Sequence, residues 1–102
     1  MPQEEILKQS GTVTRPVPRE PRKHDVIVLN DDFTTFEFVI EVMMGVFHKT
    51  YEDACNIAET THVHQKATGG SYSLDIARSK VDKAVRMARN EGFPLRFDIQ
   101  EA

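Results

Sequence analysis

The chain has 102 residues, 39% of them hydrophobic and 28% charged, with a formal net charge of −3; such a chain builds one globular domain, not two. No run approaches the ~20 apolar residues of a membrane span, and an acidic balance disfavours nucleic acid, whose phosphates call for a basic surface. The one cysteine, Cys55, rules out an internal disulfide and fits a reducing compartment.

The opening Met1-Pro2-Gln3-Glu4-Glu5 lacks the basic-then-apolar layout of a secretory signal. A cytoplasmic location and a monomer are expected. Charge is unevenly spread: residues 1–24 hold five Lys/Arg against three Glu, a net +2, and residues 25–102 hold eight against thirteen acids, a net −5. The folded part is therefore acidic, and a cationic or amine-bearing ligand suits it.

In chain order, residues 1–23 come first, with Pro2, Pro16, Pro18 and Pro21 and little apolar content. They are expected to form a flexible extension before a core domain over residues 24–102. Asp25-Val26-Ile27-Val28-Leu29 is a β-branched run of strand length, and its consecutive apolar residues predict a central strand. Asn30-Asp31-Asp32 ends it. Thr34 with Glu37 has capping-box spacing, and Phe36, Val39, Ile40, Met43 and Phe47 then form an amphipathic helical stripe. A second capping pair, Thr50 with Asp53, opens a helix whose weaker stripe is Ala54, Ile57, Ala58 and Thr61. Lys66 to Tyr72 predicts a short strand or turn around Gly69-Gly70. Ser73 can cap a third helix carrying Ile76, Ala77, Val81, Ala84, Val85 and Ala88, ended by Gly92. Leu95, Phe97 and Ile99 alternate with polar residues as a one-sided strand. The expected fold is α/β of the α+β kind: a compact β-α-α-β-α-β domain, a small antiparallel sheet with three helices packed on one face.

Three groups of residues bear chemistry. Asn30, Asp31 and Asp32 fit ordinary turn and helix-entry roles, because such side chains bond nearby backbone N–H groups. Two adjacent acids also fit a site for a cation. His62 and His64 stand at i, i+2 on a helix and diverge, so zinc is not expected; a partly buried histidine making one hydrogen bond is the plain reading of His62. A hydrolase built from Asp31 or Asp32, His62 and a nucleophile such as Cys55 or Ser71 is disfavoured: Cys55 lies two helical turns before His62, no nucleophile elbow is present, and the small core leaves little room for a substrate cleft. A threonine and an alanine at Thr61 and Ala58, where a core would favour Leu or Ile, predict a gap between helices beside those polar residues. A small protein-interaction or ribosome-associated domain without an amine site is the alternative.

The stretches "VIVLNDDFTTFEFVIEVMMGVF", "AETTHVHQKATGG" and "SLDIARSKVDKAVRMARNEGFPLRFDIQ" together resemble the ClpS adaptor family over about residues 23–101. The resemblance implies a non-enzymatic adaptor, with no cofactor and no metal, that hands N-degron substrates to the ClpA unfoldase of the ClpAP protease in bacteria. It implies that Asn30, Asp31 and His62 bind the α-amino group of a substrate's first residue, with Asp32 supporting the turn. The side-chain pocket falls on Thr34, Phe36, Val39, Ala58, Thr61 and Leu95, and first residues Leu, Phe, Tyr and Trp are implied. Contacts with the ClpA N-terminal domain fall on Asp75 and Lys80, and the family's N-terminal extension on residues 1–23. Phe36 and Ala58 stand where the family commonly has methionine, and Thr61 where it has valine, as in a specialised paralogue.

Overall fold

The computed structural model describes residues 22–102. The expected N-terminal extension falls, except for its last two residues, outside the described residues. Six elements follow one another: β1 (Lys23–Leu29), α1 (Phe36–Gly45), α2 (Tyr51–His64), β2 (Lys66–Ser73), α3 (Leu74–Asn90) and β3 (Arg96–Glu101). The β-α-α-β-α-β order is the one read from the sequence.

The sheet is three-stranded and antiparallel, with spatial order β2-β1-β3. β1 is central, as its apolar run implied: Val26 and Val28 are 0% exposed and Ile27 only 8%. β1 begins at Lys23, one residue before the expected domain boundary. Ala102 N donates to Lys23 O at 3.1 Å, and Arg22 pairs with Glu101, so the two ends of the domain close on each other. Between Val26 and Ile27 the β1–β2 register slips by one residue: Val26 faces Gly70 and Ile27 faces Thr68. Gly69 is the extra residue of this bulge. Gly70 has φ of 155°, and a Cβ there would lie 2.5 Å from Tyr72 Oη, so glycine is required.

The core lies on the Val26/Val28 face of the sheet and is closed by the helices. α1 contributes Phe38, Val39, Val42 and Met43, each worth about 1.5–3 kcal/mol when buried. Phe93 meets Phe38 edge-on at 5.1 Å between centroids. α2 and α3 meet the core mainly through small residues, Ala54 and Ala58 on one, Ala77, Ala84 and Ala88 on the other.

The structure departs from two helical readings. The expected stripe on α1 put Phe36 inward, but Phe36 is 44% exposed; Val39 and Met43 are buried and Ile40 packs against the core as read, with Phe38 and Val42 added to the buried face. The cap also differs from the one read. Thr35, not Thr34, caps α1, accepting from Phe38 N at 3.1 Å, because Thr34 bonds to Asp31 instead. On α3, Ile76 is exposed, and Ser73 stands at the cap position without a side-chain cap bond. Thr50 caps α2 as read, accepting from Asp53 N at 3.1 Å.

Candidate functional site

A cavity of about 450 Å³ opens between the end of β1, the start of α1 and the inner face of α2. Its rim is polar: Asn30, Asp31 and Asp32 come from the turn after β1, and His62 from the last turn of α2. Thr34 and the exposed ring of Phe36 form one wall. Val39, Ala58 and Thr61 line it from within and are nearly fully buried. The gap expected from Ala58 and Thr61 is thus present. The hydroxyl of Thr61 is engaged within α2, donating to Ile57 O at 2.8 Å.

Asp31 is half-buried and organises the turn. Its Oδ1 accepts from Phe33 N at 2.8 Å and Thr34 N at 2.7 Å, and its Oδ2 accepts from Thr34 Oγ1 at 2.7 Å. Burial alone would raise the carboxyl pKa and is the largest single influence. The donors from Thr34 and Phe33, with the Arg96 charge, outweigh it together, so the pKa lies below the usual value. A carboxylate offers about four lone-pair directions; three are used inside the turn, and the remaining one is on Oδ2. The two readings of the acidic turn are therefore compatible, since Asp31 builds the turn and keeps a charged acceptor beside the cavity.

Asn30 is half-buried and its backbone N donates to Gln65 O at 2.9 Å. Its side-chain Nδ2 donates to Gln65 Oε1 at 3.3 Å, which leaves Oδ1 as the acceptor. Asp32 is exposed. His62 is also exposed, contrary to the partly buried, singly bonded histidine expected; among the described residues its imidazole has no hydrogen-bond partner. Its place in the last turn leaves the ring at the mouth of the cavity.

Not every expected residue gathers there. Leu95 is 1% exposed and belongs to the core cluster; it does not line the cavity. Asp75 is exposed in the first turn of α3. Lys80 is half-buried and engaged within the domain: Nζ donates to Val46 O at 2.9 Å and stands 5.2 Å from the Tyr72 ring centroid. Gln65 was missed by the sequence reading, although a polar residue directly after a helix is a known place for a cap. No group of three His, Cys, Asp or Glu is placed to share a metal ion among the described residues. No described helix is long and apolar enough to cross a membrane.

Fold and site together define a small α+β binding domain, with an apolar cavity whose rim is made of hydrogen-bond acceptors. Comparison with known proteins narrows the class. The family model for "ATP-dependent Clp protease adaptor protein ClpS" matches residues 19–98. ATP-dependent Clp protease adapter proteins ClpS are similar along most of the chain. That of Acetivibrio thermocellus is 46% identical over 77 residues, covering 76% of this chain and 78% of its own. That of Campylobacter jejuni (serotype O:23/36) is 36% identical over 101 residues, covering 99% of both. Agrobacterium tumefaciens ClpS2, solved bound to L-phenylalaninamide, superimposes with a TM-score of 0.77 at 31% identity, covering 81% of this chain and all of the other. The chain belongs to the ClpS family of Clp protease adaptors, and it is an adaptor rather than an enzyme.

Proposed function

We propose that the cavity binds the free α-amino group and bulky hydrophobic first side chain, Leu, Phe, Tyr or Trp, of N-degron substrates, and that the domain delivers them to the ClpA unfoldase of the ClpAP protease. The observation that carries this reading is one cavity with an acceptor rim and an apolar interior. An α-ammonium has three N–H donors and a positive charge. Asn30 Oδ1, Asp31 Oδ2 and an imidazole nitrogen of His62 are its three acceptors, and Asp32 supports the turn that holds two of them. Phe36, Val39, Ala58, Thr61 and the Thr34 wall take the side chain, with Leu95 packing in the core cluster shared by Val39 and Ala58. The L-phenylalaninamide bound by the Agrobacterium protein supports the reading, being an α-amine attached to a benzyl side chain.

Magnitudes are consistent with useful affinity. Charge-assisted hydrogen bonds contribute roughly 1.5–3 kcal/mol each, and a buried Leu or Phe about the same. Association costs at least ~4 kcal/mol, so affinities between tens of micromolar and submicromolar are expected. An internal peptide segment offers an amide with one donor and no charge, and is refused.

Delivery uses other surfaces. Exposed Asp75 meets the ClpA N-terminal domain; Lys80, whose ammonium already serves Val46 O, contributes chiefly by holding that surface. Residues 1–23 form the arm that engages the unfoldase, and the adaptor acts as a cytoplasmic monomer. The test is a fluorescence titration with a short Leu-first peptide and its N-acetylated twin. Acetylation removes the charge and two donors and should weaken binding at least about tenfold. Equal affinities would overturn the amine site.

A further inference from the structure

The residue that joins α2 to β2 touches two of the three amine ligands without lining the cavity itself. Gln65 has φ of 73° and ψ of −9°, the left-handed region that a side-chain-bearing residue disfavours and glycine accepts. Its side chain has bonds at both ends. Oε1 accepts from Asn30 Nδ2 at 3.3 Å, and Nε2 donates to the His62 carbonyl at 3.5 Å, the longer and weaker of the two. The backbones are joined as well, Asn30 N donating to Gln65 O at 2.9 Å.

An asparagine amide presents an acceptor on one side and donors on the other, and the two senses have the same shape. They are opposite in chemistry at this rim. Oδ1 turned to the cavity accepts from an ammonium; Nδ2 turned there sets donor against donor. The His62 carbonyl is one of the last four of α2, which have no partner within the helix. As a fixed acceptor it draws Gln65 Nε2, which directs Gln65 Oε1 toward Asn30, which in turn holds Nδ2 away from the cavity. We propose that Gln65 is a positioning residue for amine recognition: this amide relay from the end of α2 keeps Asn30 Oδ1, and not Nδ2, facing the bound ammonium. The proposal rests on the amine site above and adds the device that keeps its rim uniformly accepting. A blocked N-terminus brings an acyl oxygen to the rim, and that oxygen finds acceptors only while the relay is intact.

The test uses the full chain with three variants and the same pair of peptides, free and N-acetylated, read by competition. Gln65→Met removes both relay bonds at similar length. Gln65→Gly removes them and also relieves the left-handed backbone, so its melting temperature should equal or exceed that of the parent chain. Gln65→Glu retains the Oε1 acceptor and serves as the rescue. Met and Gly should each lower affinity for the free-amine peptide roughly three- to tenfold, the loss expected for one hydrogen-bonded orientation. Affinity for the acetylated peptide should not fall with it, so discrimination narrows. Glu should stay within about twofold of the parent chain. Wild-type affinity in both Met and Gly variants, or a parallel loss for both peptides, would overturn the relay. These outcomes separate the two claims: a parent chain that does not distinguish the peptides defeats the amine site itself, whereas one that does, with unchanged variants, defeats only the role of Gln65.

Discussion

The two ends of α1 are finished by charged side chains in opposite ways. At its start the Asp31 carboxylate gathers three donors from the preceding turn; at its finish the Lys80 ammonium donates to the carbonyl of Val46. Both signs suit the helix dipole, negative near the N-terminus and positive near the C-terminus. Only the first faces a cavity. Lys80 is packed beside Tyr72, whose ring meets Phe47 at a tilt, whereas Asp31 borders the cavity with one lone-pair direction unspent. The same electrostatic device therefore closes into packed structure at one end, and builds a turn beside a cavity at the other.

The sharpest break of that contrast is at Asp31. Asp31→Ala should cost about 2–4 kcal/mol of peptide affinity, because a bound ammonium loses its anionic partner. Asp31→Asn keeps acceptors for the turn but not the charge, and should bind peptide nearly as poorly while unfolding less readily than Asp31→Ala. Titration calorimetry together with urea melts separates the two effects; full affinity in the Asn variant would remove the charge from the account. The lowered pKa of Asp31 adds a pH signature. A depressed carboxylate contributes stability that is complete above its unfolded pKa near ~3.9 and is lost as pH falls through the lower folded value. The stability difference between the parent chain and Asp31→Asn should thus be level from pH 7 to about pH 5 and shrink below about pH 4. A difference that stays constant to pH 3 would contradict it.

The other end of α1 should respond in stability and leave recognition alone. Lys80→Ala removes a charge-assisted bond to Val46 O, and half-exposure reduces its worth to about 1 kcal/mol. A urea midpoint should record that loss with peptide affinity unchanged. Should Lys80→Ala weaken unfoldase binding with no change in midpoint, its role is direct contact and the structural reading of that end is wrong. The smallest effect concerns the cavity interior. Ala58 leaves room at the level of a ligand's Cβ, so Ala58→Met should lower binding of an Ile-first peptide more than a Leu-first one, by about 1 kcal/mol or less. An unchanged Leu/Ile ratio would shift attention to Phe36 and Thr61.

Much of this architecture was legible in the residues, and where it was not the reason is physical. β1 reads as central because Val26, Ile27 and Val28 leave neither face polar, and Thr50 reads as a cap because nothing nearby competes for its hydroxyl. α1 was misread in part, since its apolar residues support two overlapping stripes and packing on the core chooses between them; its cap was misread because Asp31 draws Thr34 into the turn. Eight of the nine residues that the family resemblance assigned beside or within the pocket, together with Asp32, do meet at the cavity, apart from Leu95. The inward turn of Lys80 and the bond between Gln65 and Asn30 depend on partners more than thirty residues away, and no local pattern announces them.

The bulge in β2 changes what an insertion or deletion would mean in this sheet. Side chains alternate along a strand, so an odd-numbered slip reverses every residue beyond it. Ala67 pairs with Val28, and across the bulge Tyr72 pairs with His24, so both share the helix-covered side although their numbers differ in parity. Removing Gly69 alone would therefore be the length change this sheet absorbs: Thr68 and Gly70 would stand opposite Ile27 and Val26 in an unbroken ladder, and Tyr72 would keep its side and its contact with Phe47. The loss of one residue away from the bulge has no such slack and would reverse the side chains beyond it, so single-residue length variation in β2 is expected at this point and not elsewhere in the strand.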